Sequence, residues 1–202
     1  IIGLTLTENN LKGTIPREIG LLSNISTLDM SNNDLTGSIP PEISKLTKLN
    51  RIDLSKNQIS STIPVQIGET NSLTVLKLAF NKLNGSIPSE IGLLDKLEEL
   101  DLRNNALSYK LPTEIGNLVL LKELDVQNND LLGPLPEEMR SMSSLKNCKM
   151  SNNHIFDKIP EALWQSDSLV NLELLDLSQN LLTGEFFDNF GSSWKKLKSL
   201  RL

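Results

Sequence analysis

Glu99, Asp101, Glu123 and Asp125 are ionisable side chains whose spacing would bring them together. They occur as Glu99-Leu100-Asp101 and Glu123-Leu124-Asp125, one repeat period apart. Alternation about a leucine puts both carboxylates of a triplet on one face of a strand. Adjacent parallel strands about 4.8 Å apart would then gather all four acids into a patch, with Lys77 and Lys149 at its borders. Like charges side by side are mildly destabilising across strands, so this patch is expected to face a partner with a basic surface. Phe80 is the second candidate: an aromatic in a column that also holds Lys56 and Asn104, suited to anchor an interface. Nucleophilic and metal chemistry has little to work with. Cys148 and His154 are the sole cysteine and histidine, too few for a zinc site of the usual composition. Cys148 is expected to point inward and His154 outward, which separates them as a nucleophile–base pair. Glycine-flanked serine, phosphate-loop and kinase signatures are absent. No catalytic residue, metal ligand or cofactor is expected.

What positions these residues is a repeat, L-x-x-L-x-L-x-x-N-x-L-x-G-x-I-P-x-x-I-G-x-L-x-x. Its copies begin at Ile1, Ile25, Leu49, Leu73, Leu97, Leu121, Leu145 and Leu172, and a ninth is cut short after Leu197. A fixed period of about 24 residues marks a solenoid. Positions 4 and 6 are apolar and 3, 5 and 7 mostly polar, so each copy starts with a short strand, and neighbouring copies pair into a parallel sheet. Positions 1, 11, 15, 19 and 22 close each coil around the core. Position 9 is Asn9, Asn33, Asn57, Asn81, Asn105, Asn129, Asn153 and Asn180. An amide carries both donor and acceptor, so stacked asparagines can satisfy the backbone of their own coil and the next; they read as structural.

Leu-x-Gly-x-Ile-Pro followed by Ile-Gly resembles the plant-specific class of leucine-rich repeat. The wording of residues 16–22 and 112–118 is also similar to algal and diatom members of that class. The resemblance covers essentially the whole chain. It implies an α/β solenoid: a right-handed superhelix of about eight repeats with a concave parallel sheet, short second strands, and 3-10 or helical turns on the convex side. It also implies binding along the concave face. Since Leu-Asp-Leu-Ser is common wording in the family, the aspartates at position 5 carry less information than Glu99 and Glu123.

Net charge is −5, which argues against nucleic acid. No apolar run reaches the roughly 18 residues of a membrane span. Residues 1–202 are expected to form one leucine-rich repeat domain, an internal piece of a longer array without terminal caps. Departures from the pattern accumulate toward the C-terminus: Ser61, Tyr109 and Asp157 replace the glycine at position 13, Trp164 the glycine at position 20, and Phe186-Phe187 the Ile-Pro. A short insertion falls near Ser166-Asp167-Ser168. Tyr109, Phe156 and Trp164 are expected to fill gaps left by missing rungs; for Phe80 the alternative to an interface anchor is packing on Ala79, Lys82 or a neighbouring stem. Asn24 and Asn84 begin glycosylation triplets.

The expected function is a non-enzymatic protein or peptide recognition scaffold, like a receptor ectodomain. Its expected contacts are Arg51, Asp53, Lys77, Phe80, Glu99, Asp101, Arg103, Glu123, Asp125 and Lys149. The alternatives are an assembly subunit of a larger complex and a secreted inhibitor of an extracellular enzyme. The resemblance favours an extracellular or cell-surface setting.

Overall fold

The computed structural model describes residues 2–164, 167–185 and 193–202. Ile1, Ser166 of the insertion, and Phe186 and Phe187 lie outside the described residues. Each coil opens with a three-residue strand: Gly3–Thr5, Thr27–Asp29, Arg51–Asp53, Val75–Lys77, Glu99–Asp101, Glu123–Asp125, Asn147–Lys149, Leu174–Asp176 and Ser199–Arg201. These form one nine-stranded parallel sheet in chain order. The register keeps repeat positions opposite each other, so Leu100 pairs with Leu124 and Asp101 with Asp125. This sheet is the concave face of the solenoid.

Leu28, Ile52, Leu76 and Leu100 at position 4 are fully buried. Each stacks on the equivalent side chain of the coils before and after, and each such burial contributes roughly 1.5–3 kcal/mol. No coil closes a core alone, so stability lies in the stack. Second strands at positions 10 to 14, such as Lys82–Gly85, Ala106–Tyr109, Asp130–Gly133 and His154–Asp157, pair in parallel as a narrow lateral sheet.

Proline at position 16 sets up the convex side. Pro88 is extended at φ −68° and ψ 144°, and the 3-10 turn Ser89–Leu93 follows it directly. Ile91 and Leu94 at positions 19 and 22 enter the core. Glycine at position 20 lets neighbouring turns touch. A Cβ on Gly92 would lie 2.4 Å from the Glu114 carbonyl oxygen of the next coil, and one on Gly116 would lie 2.3 Å from that of Glu138.

In coil 7 that position is Trp164, and the stacking changes. Trp164 is buried, as expected of a gap filler. Its carbonyl accepts from Ser193 Oγ, while Trp194 Nε1 donates to the Leu163 carbonyl at 2.8 Å. Ser193 and Trp194 therefore tie coil 8 to coil 7. Tyr109 and Phe156 behave differently from expectation. They are 62% and 45% exposed, because positions 12 and 13 of the second strand face solvent instead of the core. Tyr109 also keeps the left-handed φ of the glycine it replaces, at 67°.

Candidate binding surface on the concave sheet

The surface is built at the turn where the strand leaves the sheet. Asn129 shows how the turn is held. Its Nδ2 donates to the carbonyls of Val126 (3.1 Å) and Gln127 (3.2 Å) in its own coil and of Leu102 (3.1 Å) in the coil before. Its Oδ1 accepts from Leu107 N of that preceding coil at 3.0 Å. The asparagine thus reaches back one coil, not forward as the sequence suggested. Buried backbone groups must be paired, and one amide pairs several here.

The residue before it, at position 8, adopts the left-handed conformation in every coil: Glu8, Asn32, Lys56, Phe80, Asn104, Asn128, Asn152 and Gln179 all have φ between 53° and 61°. Asparagine tolerates this geometry and bulky side chains resist it. Five φ values of 54–56° from Lys56 to Asn152 mean that the side chains leave the backbone in parallel.

Aspartate at position 5 is a brace. The strand ends there, and the N–H of position 7 has no sheet partner. Asp29, Asp53, Asp101, Asp125 and Asp176 each accept that N–H on Oδ1, at 3.1 to 3.3 Å. This folds the carboxylates onto the sheet and leaves Asp53, Asp101 and Asp125 buried at 7–8% exposure.

The expected acidic patch is consequently a mosaic of ion pairs. Arg103 reaches Asp101 at 3.5 Å and Asp125 at 3.3 Å, and Lys149 approaches Asp125 at 3.7 Å. Glu99 and Glu123 are register partners, but they turn to opposite neighbours: Glu99 to Lys77 at 2.6 Å, Glu123 to Asn147 Nδ2 at 2.6 Å. Arg51 pairs with Asp53 at 2.9 Å. Burial raises the Asp101 carboxyl above its ordinary range, and the Arg103 charge opposes that. Lys77 and Lys149 border the acids on the two flanking strands, as expected, and Arg103 sits among them.

Phe80 is the exception in its column. It is 43% exposed and holds φ 56°, which strains an aromatic residue. Its ring packs against Arg103 of the next coil, whose guanidinium carbon is 5.5 Å from the ring centre. Beside it lies a depression of about 260 Å³ that gathers Asp53, Lys77, Phe80, Asp101 and Arg103 with Ser55 and Lys56. Ser55 Oγ and Arg103 Nε are buried there without hydrogen-bond partners. Lys56 is exposed, and no ion pair engages it among the described residues. Neither Ser55 nor Lys56 was among the expected contacts, although the sequence placed Lys56 in the column of Phe80; the left-handed conformation of that column is the signal for Lys56, and Ser55 precedes it. Glu123 and Lys149 lie outside this depression, one and two strands further along the sheet.

Cys148 and His154 diverge as expected. Cys148 is buried, and its thiol is pushed up to about 12, first by burial and then by the charges of Asp125 and Asp176. His154 is exposed, with Nε2 3.7 Å from Asp130 Oδ1. Among the described residues no three His, Cys, Asp or Glu side chains are grouped to hold a metal ion. No helix among them is long and apolar enough to cross a membrane. Asn24 and Asn84 are both exposed, and Asn24 Oδ1 accepts from Lys48 Nζ at 2.8 Å.

Repeats of this construction, with a parallel inner sheet, an asparagine ladder and proline-led 3-10 turns, define a class, and family comparison agrees. The family described as Leucine Rich repeats (2 copies) matches residues 23–65, and Leucine Rich Repeat matches residues 72–94, 96–118, 120–142 and 171–193. The chain belongs to the leucine-rich repeat family and is of the plant type. No curated protein matches it significantly.

Solved structures do. The chain is similar to PEPR1 in its complex with AtPEP1, at 34% identity and a TM-score of 0.93, over 98% of this chain and 27% of that one. It is similar to the ectodomain of the Arabidopsis thaliana receptor kinase GASSHO1/SCHENGEN3, solved with CASPARIAN STRIP INTEGRITY FACTOR 2, at 36% and 0.86 over 98% and 26%. A third is the Arabidopsis receptor kinase HAESA, solved with the peptide hormone IDA and the co-receptor SERK1, at 32% and 0.75 over 100% and 37%. The chain spans well under half the length of each.

Proposed function

We propose that this chain is a non-enzymatic recognition module that takes a protein segment or peptide on its concave sheet, in the manner of a receptor ectodomain at the cell surface. The observation that carries this reading is Phe80. A half-exposed aromatic is held in a left-handed conformation that favours asparagine, beside a depression with an uncommitted lysine. Backbone strain at an exposed position is a pointer to function. The receptor ectodomains to which the chain is similar, solved with a peptide hormone or a protein factor, support the same class of ligand.

The mechanism is preorganisation. Hydrogen-bonded asparagines, braced aspartates and stacked leucines fix the surface before a ligand arrives, so little ordering cost is incurred on binding. The contacts are Phe80 and Arg103 at the centre, with Lys77, Asp53 and Arg51 on one side and Asp101, Glu99, Asp125, Glu123 and Lys149 on the other. Because most of those acids are already paired with cations, the cation beside Phe80 with no ion pair among the described residues is Lys56, while Glu8, likewise without an ion pair, lines the same depression two coils further away. The ligand group beside Phe80 is therefore acidic, whereas a patch of free carboxylates would have taken a basic one.

A random peptide library displayed on phage and selected on the immobilised chain supplies the probe. Enriched peptides are expected to carry an acidic residue next to an aromatic or large aliphatic one. Phe80→Asn replaces the strained ring with the residue the backbone prefers, so the fold is retained. Affinity for the enriched peptide is expected to fall about 30-fold, the loss typical of a central aromatic contact. Unchanged affinity with an unchanged melting curve overturns this reading.

A further inference from the structure

The outward face of the lateral sheet changes character along the solenoid. At position 12 the first four coils carry Lys12, Thr36, Ser60 and Asn84. Coils 6 and 7 carry Leu132 and Phe156 there, 44% and 45% exposed. Coil 5 adds Tyr109 at position 13 and coil 8 adds Leu181 at position 10, at 62% and 59%. Phe156 is the cross-strand partner of Leu181, Leu132 of His154, and Tyr109 of Leu131. Neighbouring strands lie about 4.8 Å apart, so the four side chains make one apolar strip across coils 5 to 8. The fold does not require it, since coils 1 to 4 build the same second strands with polar residues. Tyr109 is kept at φ 67°, where Gly13, Gly37, Gly85, Gly133 and Gly184 stand in other coils, so an exposed ring is retained against backbone strain. Single exposed apolar side chains are ordinary, whereas contiguous ones mark an interaction surface.

The charges at the two ends of the strip say what covers it. Lys82 and Lys110 are exposed at the Tyr109 end, and Asp157 and Glu185 are exposed at the Leu181 end. No ion pair engages any of these four among the described residues. The exposed Lys158 beside Asp157 leaves the second end still acidic by one charge. Asp130 and His154, 3.7 Å apart, occupy the middle. The strip therefore has a basic end, an apolar centre and an acidic end. We propose that the lateral sheet of coils 5 to 8 is a self-association surface, on which a second copy of this chain docks antiparallel about a two-fold axis. That axis uses the same patch twice. It lays apolar centre on apolar centre and brings the basic end of each copy to the acidic end of the other, whereas like ends would repel. Two sheets stacked face to face lie about 10 Å apart, close enough for Leu132, Phe156 and their counterparts to interdigitate. Because the strip is on the flank, the concave sheet of each copy stays open, and the dimer carries two recognition surfaces.

The test is sedimentation equilibrium of the whole chain over a concentration series. The wild type is expected to pass from monomer to dimer as concentration rises. Leu132→Thr with Phe156→Thr puts at position 12 the residue that coil 2 carries there, and Tyr109→Gly restores the glycine of the other coils, so the fold is kept. The triple variant is expected to hold its melting curve when dilute and to dimerise at least about 100-fold more weakly, since the central aromatic anchors are gone. Lys110→Glu alone is expected to weaken the dimer about five-fold, and Lys110→Glu with Glu185→Lys to regain it, because the two ends meet. A wild type that stays monomeric at every concentration, or a triple variant that dimerises as the wild type does, overturns the surface. A charge exchange that regains nothing overturns the antiparallel copy. Phe80→Asn, on the concave face, is expected to leave the dimer unchanged, so the recognition reading stands or falls separately.

Discussion

Positions 8 and 9 are adjacent in sequence and share a preference for asparagine, yet they do opposite things. At position 9 the amide points into the turn; Asn129 is 7% exposed and makes four hydrogen bonds to backbone. At position 8 the amide points out; Asn128 bonds only to its equivalents in the flanking coils. One column spends its donors on the scaffold, and the other keeps them. In a repeat protein the residue type alone therefore says little about role. What decides is whether the polar atoms are already committed.

This contrast can be broken most severely at position 9. Asn129→Ala leaves the N–H of Leu107 without a partner, while the carbonyls of Val126 and Leu102 keep Asn153 and Asn105 as donors. An orphaned buried group costs about 1–3 kcal/mol, so denaturant unfolding is expected to show a loss of about 1–3 kcal/mol. Asn128→Gly, one residue away, is expected to stay within about 0.5 kcal/mol of wild type in the same experiment. Similar losses at both sites would remove the distinction.

Phe80→Asn tests the outer column from the other side. It relieves the left-handed strain on an aromatic, and it gives up an exposed cation–π contact worth about 0.5–1 kcal/mol. Stability by thermal melting is expected to hold or rise by up to about 1 kcal/mol while ligand affinity falls. A variant that loses both would show Phe80 to be scaffold.

The smallest effect concerns the braces. Asp101 has its folded pKa raised, chiefly by burial. A raised folded pKa contributes stability that is present below the unfolded pKa and lost as pH rises through the folded one. Asp101→Asn removes that dependence. The unfolding midpoint of wild type relative to Asp101→Asn is therefore expected to decline as pH is raised from about 3 to 7. A relative midpoint that rises would make the ion pair with Arg103, not burial, the dominant influence.

Coils 1–6 and coils 7–8 show how far the pattern could be read. Leu28, Leu76 and Leu100 occupy the core because a fixed period can only bury one stripe, and that was legible from spacing. The inward Cys148 and outward His154 followed from the same alternation. Tyr109 and Phe156 were misread as gap fillers, because the second strand at positions 12 and 13 faces solvent and spacing does not say so. The charge patch was misjudged for a related reason. Glu99 and Glu123 were correctly placed as neighbours, but which way a flexible carboxylate turns depends on Lys77 and Asn147 in other coils.

The sequence by itself determined the solenoid, the parallel inner sheet, the buried rungs and the structural asparagine at position 9. These follow from a period, from alternation and from the need to pair backbone groups, all of which repeat identically in each coil. Only the tertiary structure decided that the aspartates are folded away, that Arg103 neutralises two of them, and that Phe80 rests on Arg103 in a strained backbone. Those depend on contacts between residues one coil apart, where the repeat is irregular and each neighbour is different.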